Sequence, residues 1–322
     1  MNQTKSWTQC WMIAGALLSA GAALGYVWWR RMQRAVEQPV EVKIDLARYL
    51  LERAAPLLRL PTSPEQPPEV LPEGAPEGAG LRCPVTGRIY PYRNGILCLL
   101  EAAPDKTFTQ QVLDTPFTAW AYDRFRETIT RAFNSPDFAV EVAEAQRALQ
   151  IQSGDMLLDL ACGQGNFTVE WAKRAGAEGL VIGLDYSLAM LARAVYHVNR
   201  WGLDNVLLVH GDAHALPIAG GVLHKINCSG GFHQFPDLPQ ALREIARVSA
   251  PGAVLATSTF AEGADDPHAD FKRWLKRAFA LHFVPLVRLG EQLTALGYTD
   301  YTWSLPGSGW FGYASAYKGR GV

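Results

Sequence analysis

The run Leu157-Leu158-Asp159-Leu160-Ala161-Cys162-Gly163-Gln164-Gly165-Asn166-Phe167-Thr168 constrains the fold more than any other stretch of this 322-residue chain. An apolar strand passes directly into a glycine-rich turn and then into residues of helical character. Glycines there let backbone N–H groups approach a ligand, and the helix N-terminus favours negative charge. A glycine pair alone is weak evidence, but Asp185 strengthens it. About twenty residues on, Val181-Ile182-Gly183-Leu184 ends at this acid, placed where a carboxylate can accept both hydroxyls of a ribose. The third glycine of a dinucleotide loop is absent, its place taken by Thr168.

From about Phe117 onward, strand-like and helix-like stretches alternate, which predicts an α/β domain whose parallel sheet has helices on both faces. The predicted strands are Met156 to Leu160, Leu180 to Leu184, Val206 to His210, Lys225 to Ser229 and Ala253 to Thr257. Helices are predicted over Thr168 to Ala175, Leu188 to Trp201, Leu238 to Val248 and within Asp270 to Leu296. Tyr298 to Ser304 and Phe311 to Lys318 read as a closing antiparallel hairpin.

Ahead of this domain no charge occurs from Ser6 to Trp29, roughly the twenty apolar residues that cross a hydrocarbon core as a helix. Trp7 and Trp11 at one end, with Tyr26, Trp28 and Trp29 at the other, suit two membrane interfaces. Arg30, Arg31 and Arg34 follow the span while only Lys5 precedes it, so the positive-inside bias places the C-terminal bulk in the cytoplasm. The expectation is a single-pass anchor over residues 1–35; a signal peptide cleaved near Ala20 or Ala22 is the alternative. Residues 36–80 read as a short amphipathic helix, lying on the membrane or on the domain, followed by a linker. The linker, Pro61 to Gly80, has too few apolar groups to offset the entropy of ordering.

Residues 81–110 read as a small β-module, with short strands over Arg88 to Tyr92 and Ile96 to Leu100 and a turn at Asn94-Gly95. It resembles the zinc-ribbon segment that precedes the catalytic domain of some methyltransferases. Thr86 stands at its second knuckle position, however, and Cys98 alone follows Cys83, so the segment reads as a ribbon without metal. The five cysteines are scattered, unlike a disulfide framework. Lys plus Arg number 30 against 31 Asp plus Glu, so no excess of positive charge points to nucleic acid.

Residues 111–322 resemble the class I S-adenosylmethionine-dependent methyltransferases. The resemblance rests on Asp159-Leu160-Ala161-Cys162-Gly163-Gln164-Gly165, on Asp185, on Gly211-Asp212-Ala213 with Leu216-Pro217, and on Leu242 to Val248 followed by Pro251-Gly252. It implies a Rossmann-like, mainly parallel seven-stranded sheet with an antiparallel C-terminal hairpin. It also implies a cofactor, S-adenosylmethionine, whose methionine end is cradled by Asp159, Ala161, Gly163 and Gly165. By position, Asp185 would hold the ribose, Tyr186, Ser187 and Met190 the adenine side, and Asp212 with Ala213 the adenine amino group; Ser229 ends the fourth strand beside them.

Within the class the chain resembles the ubiquinone/menaquinone C-methyltransferases, including plant plastid and cyanobacterial members. Tyr122-Asp123-Arg124-Phe125-Arg126 and Gly231-Phe232-His233-Gln234-Phe235-Pro236-Asp237 carry that likeness. It implies a prenylated quinol as acceptor, with Tyr122 and Arg126 covering the site or anchoring their helix. His233 would be either the base that takes a phenolic proton or a residue shaping the pocket. His210 and His214 read as structural. An RNA methyltransferase and a non-catalytic cofactor-binding membrane scaffold are the rival readings.

Overall fold

The computed structural model describes residues 44–100, 115–132, 137–263, 268–279, 282–306 and 309–320. The expected membrane anchor over residues 1–35 lies outside them. Among the described residues no helix is long and apolar enough to cross a membrane.

Helix α1 (Ile44–Ala54) is followed by four short strands, β1 (Glu69–Val70), β2 (Gly80–Arg82), β3 (Ile89–Arg93) and β4 (Ile96–Cys98). Two helices, α2 (Pro116–Ala132) and α3 (Phe138–Leu149), lead into the alternating region. That region runs β5 (Met156–Leu160), α4 (Asn166–Ala175), β6 (Leu180–Asp185), α5 (Leu188–Arg200), β7 (Val206–His210) and β8 (Leu223–Ser229). A 3-10 turn (Phe232–Gln234), α6 (Leu238–Val248), β9 (Ser249–Glu262), α7 (Ala269–Phe279), β10 (Val284–Pro285), α8 (Leu286–Ala295), β11 (Tyr298–Ser304) and β12 (Phe311–Lys318) complete the order.

Continuous apolar runs such as Leu157-Leu158 and Leu180 to Leu184 are buried on both faces, as central strands of a parallel sheet must be. Strands β7, β6, β5, β8 and β9 lie side by side in parallel register, and β12 and β11 add antiparallel to β9. The chain winds from β5 through β6 to β7, then crosses back to β8. The crevice at that reversal, beyond the carboxyl ends of β5 and β8, is where open α/β sheets take their ligands.

The expected seven-stranded sheet is too small. Among the described residues the sheet has twelve strands and is mixed: β4 pairs in parallel with β7 (Ile96↔Leu208, Leu97↔Val209, Cys98↔His210), β3, β2 and β1 follow it antiparallel, and β10 pairs with β9. The Asn94-Gly95 turn forms as its sequence demands, both residues having positive φ (51° and 82°). The module it closes is part of the central sheet and does not stand alone. Leu81, Cys83, Tyr90, Leu97 and Leu99 are buried in the main core, which fastens the module to the domain. Thr86, in the vacant knuckle position, instead gives its backbone N–H to Cys83 Sγ (3.4 Å).

The predicted linker is ordered as well. Leu60 and Leu71 are buried in a chain otherwise rich in Pro and Glu, and Glu69–Val70 pairs with β2. A few apolar anchors suffice where a sheet edge offers hydrogen bonds, which composition alone does not reveal. Of the two places open to the amphipathic helix, α1 takes the domain: Ala47, Leu50, Leu51 and Ala54 are buried, and Arg59 N donates to Pro217 O (3.0 Å).

Candidate functional site

The loop after β5 alternates into the left-handed region at Ala161 (φ 54°), Gly163 (φ 54°) and Gly165 (φ 78°). For Ala161 that conformation is strained, and such strain persists where surrounding structure enforces it, commonly at ligand sites. A Cβ on Gly163 would meet nothing within 4 Å, so open space lies directly beside the loop. On Gly165 a Cβ would come within 3.0 Å of Ala194 in α5, so glycine is what lets α4 start there.

Asp185 ends β6 next to this loop. Its Oδ2 accepts Gly163 N–H (2.8 Å) and its Oδ1 accepts Ser187 N–H (2.8 Å), which fixes the plane of the carboxylate. Ser187 in turn caps α5, its Oγ accepting the N–H of Met190 (3.2 Å). His210 Nε2 donates to Tyr186 O (3.1 Å), tying the end of β7 to the residue after Asp185. Asp212 receives the N–H (2.9 Å) and Nδ1 (2.7 Å) of His214 on Oδ1. The hydrogen bond to Asp212 raises the His214 pKa, whereas that of Asp212 falls, burial being outweighed by its bonds and charge interaction with His214. Ala213 and Met190 are buried beside them.

Asp159 lies deeper than its expected role implies. It is 1% exposed and holds three elements together, taking Thr168 Oγ1 (2.5 Å) from α4 on Oδ2 and Asn227 Nδ2 (2.7 Å) from β8 on Oδ1. Ser229 Oγ extends the network to Asn227 Oδ1 (3.0 Å). Thr168 thus uses the position of the missing third glycine to anchor the loop. Burial drives the Asp159 pKa up to about 6, Thr168 and Asn227 pulling it down and the nearby Asp185 charge pushing it further up.

His233 comes from the 3-10 turn after β8. Gly231 allows that turn to approach the loop, since a Cβ there would lie 2.6 Å from Cys228 Sγ and 2.8 Å from Ala161 Cβ. The imidazole is buried against Phe260 (ring centroids 4.7 Å), which also meets Phe283 (6.0 Å) and Phe311 (5.6 Å). Its Nδ1 lies 3.0 Å from Thr259 Oγ1 and accepts Phe260 N–H at 3.4 Å. That assigns the proton of the neutral ring to Nε2. Burial, with His282 nearby, lowers the ring's pKa to about 3. A base this weak suits proton abstraction poorly at neutral pH, whereas Nε2–H can donate to an oxygen. The base role anticipated for His233 therefore does not match its surroundings.

Tyr122 and Arg126 lie on α2, but their side chains fall outside the described residues. The neighbouring Asp123 does what was not anticipated: it pairs with Arg193 and with His197 Nε2 (3.0 Å), both on α5. Gln164 was also missed. It is 3% exposed, and its Nε2 donates to Ala119 O of α2 (3.0 Å). Among the described residues no group of three or more His, Cys, Asp or Glu side chains is placed to hold a metal ion.

The described site thus joins a strained glycine cradle, a fixed acid one strand over, and an acid beyond the next strand. This suits a nucleoside with an amino-acid tail: ribose on Asp185, base toward Asp212 and Met190, tail in the space beside Gly163. Comparisons with known proteins agree. Residues 157–252 match the family model described as a methyltransferase domain. The chain is 30% identical over 186 residues to a demethylmenaquinone methyltransferase of Listeria welshimeri, covering 57% of this chain and 73% of that relative. It is 30% identical over 160 residues to the Geobacillus stearothermophilus protein of the same name, covering 50% and 65%. A solved structure, phosphoethanolamine N-methyltransferase 2 of Haemonchus contortus in complex with S-adenosyl-L-methionine, shares the fold. Its TM-score is 0.54 at 16% identity, covering 66% of this chain and 59% of that one.

Proposed function

Because this chain belongs to the class I S-adenosylmethionine-dependent methyltransferases, in the quinone methyltransferase-like group, we propose that it methylates a ring carbon of a prenylated quinol. Bound in the cradle, the cofactor supplies a methyl group already activated on a sulfonium. The chain's own residues then have three tasks, which are to hold the nucleoside, to orient the acceptor and to keep water out.

The aromatic cluster that reaches His233 through Phe260 is the observation that carries this reading. Phe260, Phe283 and Phe311 offer a flat apolar ring their faces and edges, and His233 Nε2–H offers its hydroxyl oxygen one directed hydrogen bond. A donor at that oxygen stabilises the phenolate form, whose electron-rich ortho carbon attacks the methyl, and no strong base is required. The phenolic proton leaves to solvent as the acceptor enters, before the site is sealed; after transfer the methylated carbon gives up its ring proton and the ring oxygen regains one, so aromaticity and the hydroxyl return with one proton released overall.

The test is incubation with methyl-labelled S-adenosylmethionine and reduced demethylated quinones, alongside total RNA, followed by mass spectrometry. Label on a quinol ring carbon is expected; label confined to RNA, or to oxygen or nitrogen of another lipid, would overturn the reading. A membrane anchor formed by residues 1–35, with the domain in the cytoplasm, belongs to the same proposal, since tethering raises the effective concentration of a bilayer-soluble acceptor. Full-length protein should stay with membranes through carbonate extraction, and its recovery in the soluble fraction would contradict the anchor.

A further inference from the structure

Among the described side chains of helix α2, few are buried. Of its residues with described side chains, Ala119 is buried while Phe117, Arg124 and Phe125 are exposed. Among the described residues two polar attachments tie it to the domain. Asp123 meets Arg193 and His197 of α5, and the Ala119 carbonyl receives the Gln164 side chain. A helix held this way can lift without exposing a hydrophobic core.

Gln164 occupies an unusual position for such an attachment, between the two glycines of the cofactor loop, almost fully buried, with its Nε2 committed to α2. Its Oε1 is buried and has no hydrogen-bond partner among the described residues. A buried amide oxygen calls for a donor. The tail of the cofactor ends in an ammonium group, the kind of donor such an oxygen lacks.

We propose that Gln164 is a positioning residue that couples the methionine end of the cofactor to α2, its Oε1 accepting from the cofactor's ammonium group while its Nε2 holds α2 down through Ala119 O. The inference rests on the cofactor reading of the loop. Cofactor binding then strengthens the hold on α2. A cofactor fragment without the amino-acid tail binds without closing the helix.

The probes are S-adenosylhomocysteine and 5′-methylthioadenosine, which lacks the amino-acid tail, titrated calorimetrically into the full-length protein and its Gln164→Leu and Gln164→Glu variants. Hydrogen exchange of the α2 amides is followed in parallel. Gln164→Leu should bind S-adenosylhomocysteine about ten- to a hundredfold more weakly, a hydrogen bond to a charged group being lost. Its affinity for methylthioadenosine should stay within about twofold of the original, a result that also shows the variant is folded. Gln164→Glu keeps an acceptor for the ammonium but cannot donate to Ala119 O, so its S-adenosylhomocysteine affinity should largely survive while α2 exchanges fast. In the unaltered protein S-adenosylhomocysteine should slow α2 exchange, and methylthioadenosine should not. Equal losses for both ligands in Gln164→Leu, or undiminished α2 protection in that variant, would overturn the coupling. Failure of the unaltered protein to bind either ligand would overturn the cofactor reading itself.

Discussion

On the cofactor side, Ala161, Gly163, Gly165, Asp185 and Asp212 all lie at or just after the carboxyl ends of three neighbouring parallel strands, β5, β6 and β7. On the side proposed for the acceptor, His233, Phe260, Phe283 and Phe311 arrive from a 3-10 turn, the end of β9, the approach to β10 and the start of β12. The first group is polar and fixed by backbone N–H bonds and special φ angles. The second is apolar and fixed by mutual packing of rings. A cofactor of constant shape suits the first kind of construction, whereas an acceptor that varies between relatives suits the second, which can be repacked without disturbing a strand end.

If the two sides divide the work, damage to one should leave the other intact. The largest effect is expected at His233. Replacing it by Ala should lower turnover by about a hundredfold, the scale of losing one donor to a developing oxyanion, with cofactor affinity unchanged. His233→Gln, which retains a side-chain N–H, should recover much of that loss. Gln cannot serve as a base, so a Gln variant as slow as the Ala variant would restore the base role and break the donor account.

A smaller effect is expected at Thr168, which serves the cofactor side through Asp159. Thr168→Val removes the hydroxyl bonded to the buried Asp159 carboxylate and should cost about 1–3 kcal/mol of stability in denaturant unfolding. An unchanged midpoint would mean that the network does not anchor the loop.

The smallest effect concerns pH. The Asp159 pKa, at about 6 in the folded protein, exceeds its ordinary 3.8. The empty folded state therefore holds a proton that the unfolded chain has already released, and that part of its stability is lost as pH rises from about 4 to 6. A bound sulfonium favours the carboxylate, so affinity for S-adenosylmethionine should rise through the same window, by up to about tenfold. Uncharged at sulfur, S-adenosylhomocysteine should gain less. Parallel pH dependences for the two ligands, measured by calorimetry, would show that Asp159 does not sense the sulfonium.

The same division explains what could be read in advance. The glycine turn after β5 and the acids at or just after the ends of β6 and β7 were legible as local structure, because glycine at a left-handed position and an acid at a strand end are requirements met within a few consecutive residues. The joining of β4 to β7 was not, since β4 has only three residues and its partner lies about a hundred residues away. Neither could sequence show that Pro61 to Gly80 is ordered, as the buried Leu71 within it, the buried Leu60 just before it and a sheet edge outweigh its composition. His233 stands out in its motif, but its tautomer is set by the Phe260 N–H and its lowered pKa by burial and His282, which only the fold brings to it. Gln164 stood in plain view inside the motif, yet its partner Ala119 is 45 residues earlier.

The central claim is that the glycine loop and Asp185 hold the cofactor while His233 serves the acceptor. One experiment tests it most directly, calorimetric titration of S-adenosylmethionine into Asp185→Ala and His233→Ala side by side. Loss of a fixed carboxylate that accepts from the ribose should weaken binding by about ten- to a hundredfold in the first variant, while the second should bind within about twofold of the unaltered protein. Equal affinity in Asp185→Ala and the unaltered protein, or a loss in His233→Ala as large as in Asp185→Ala, would contradict it.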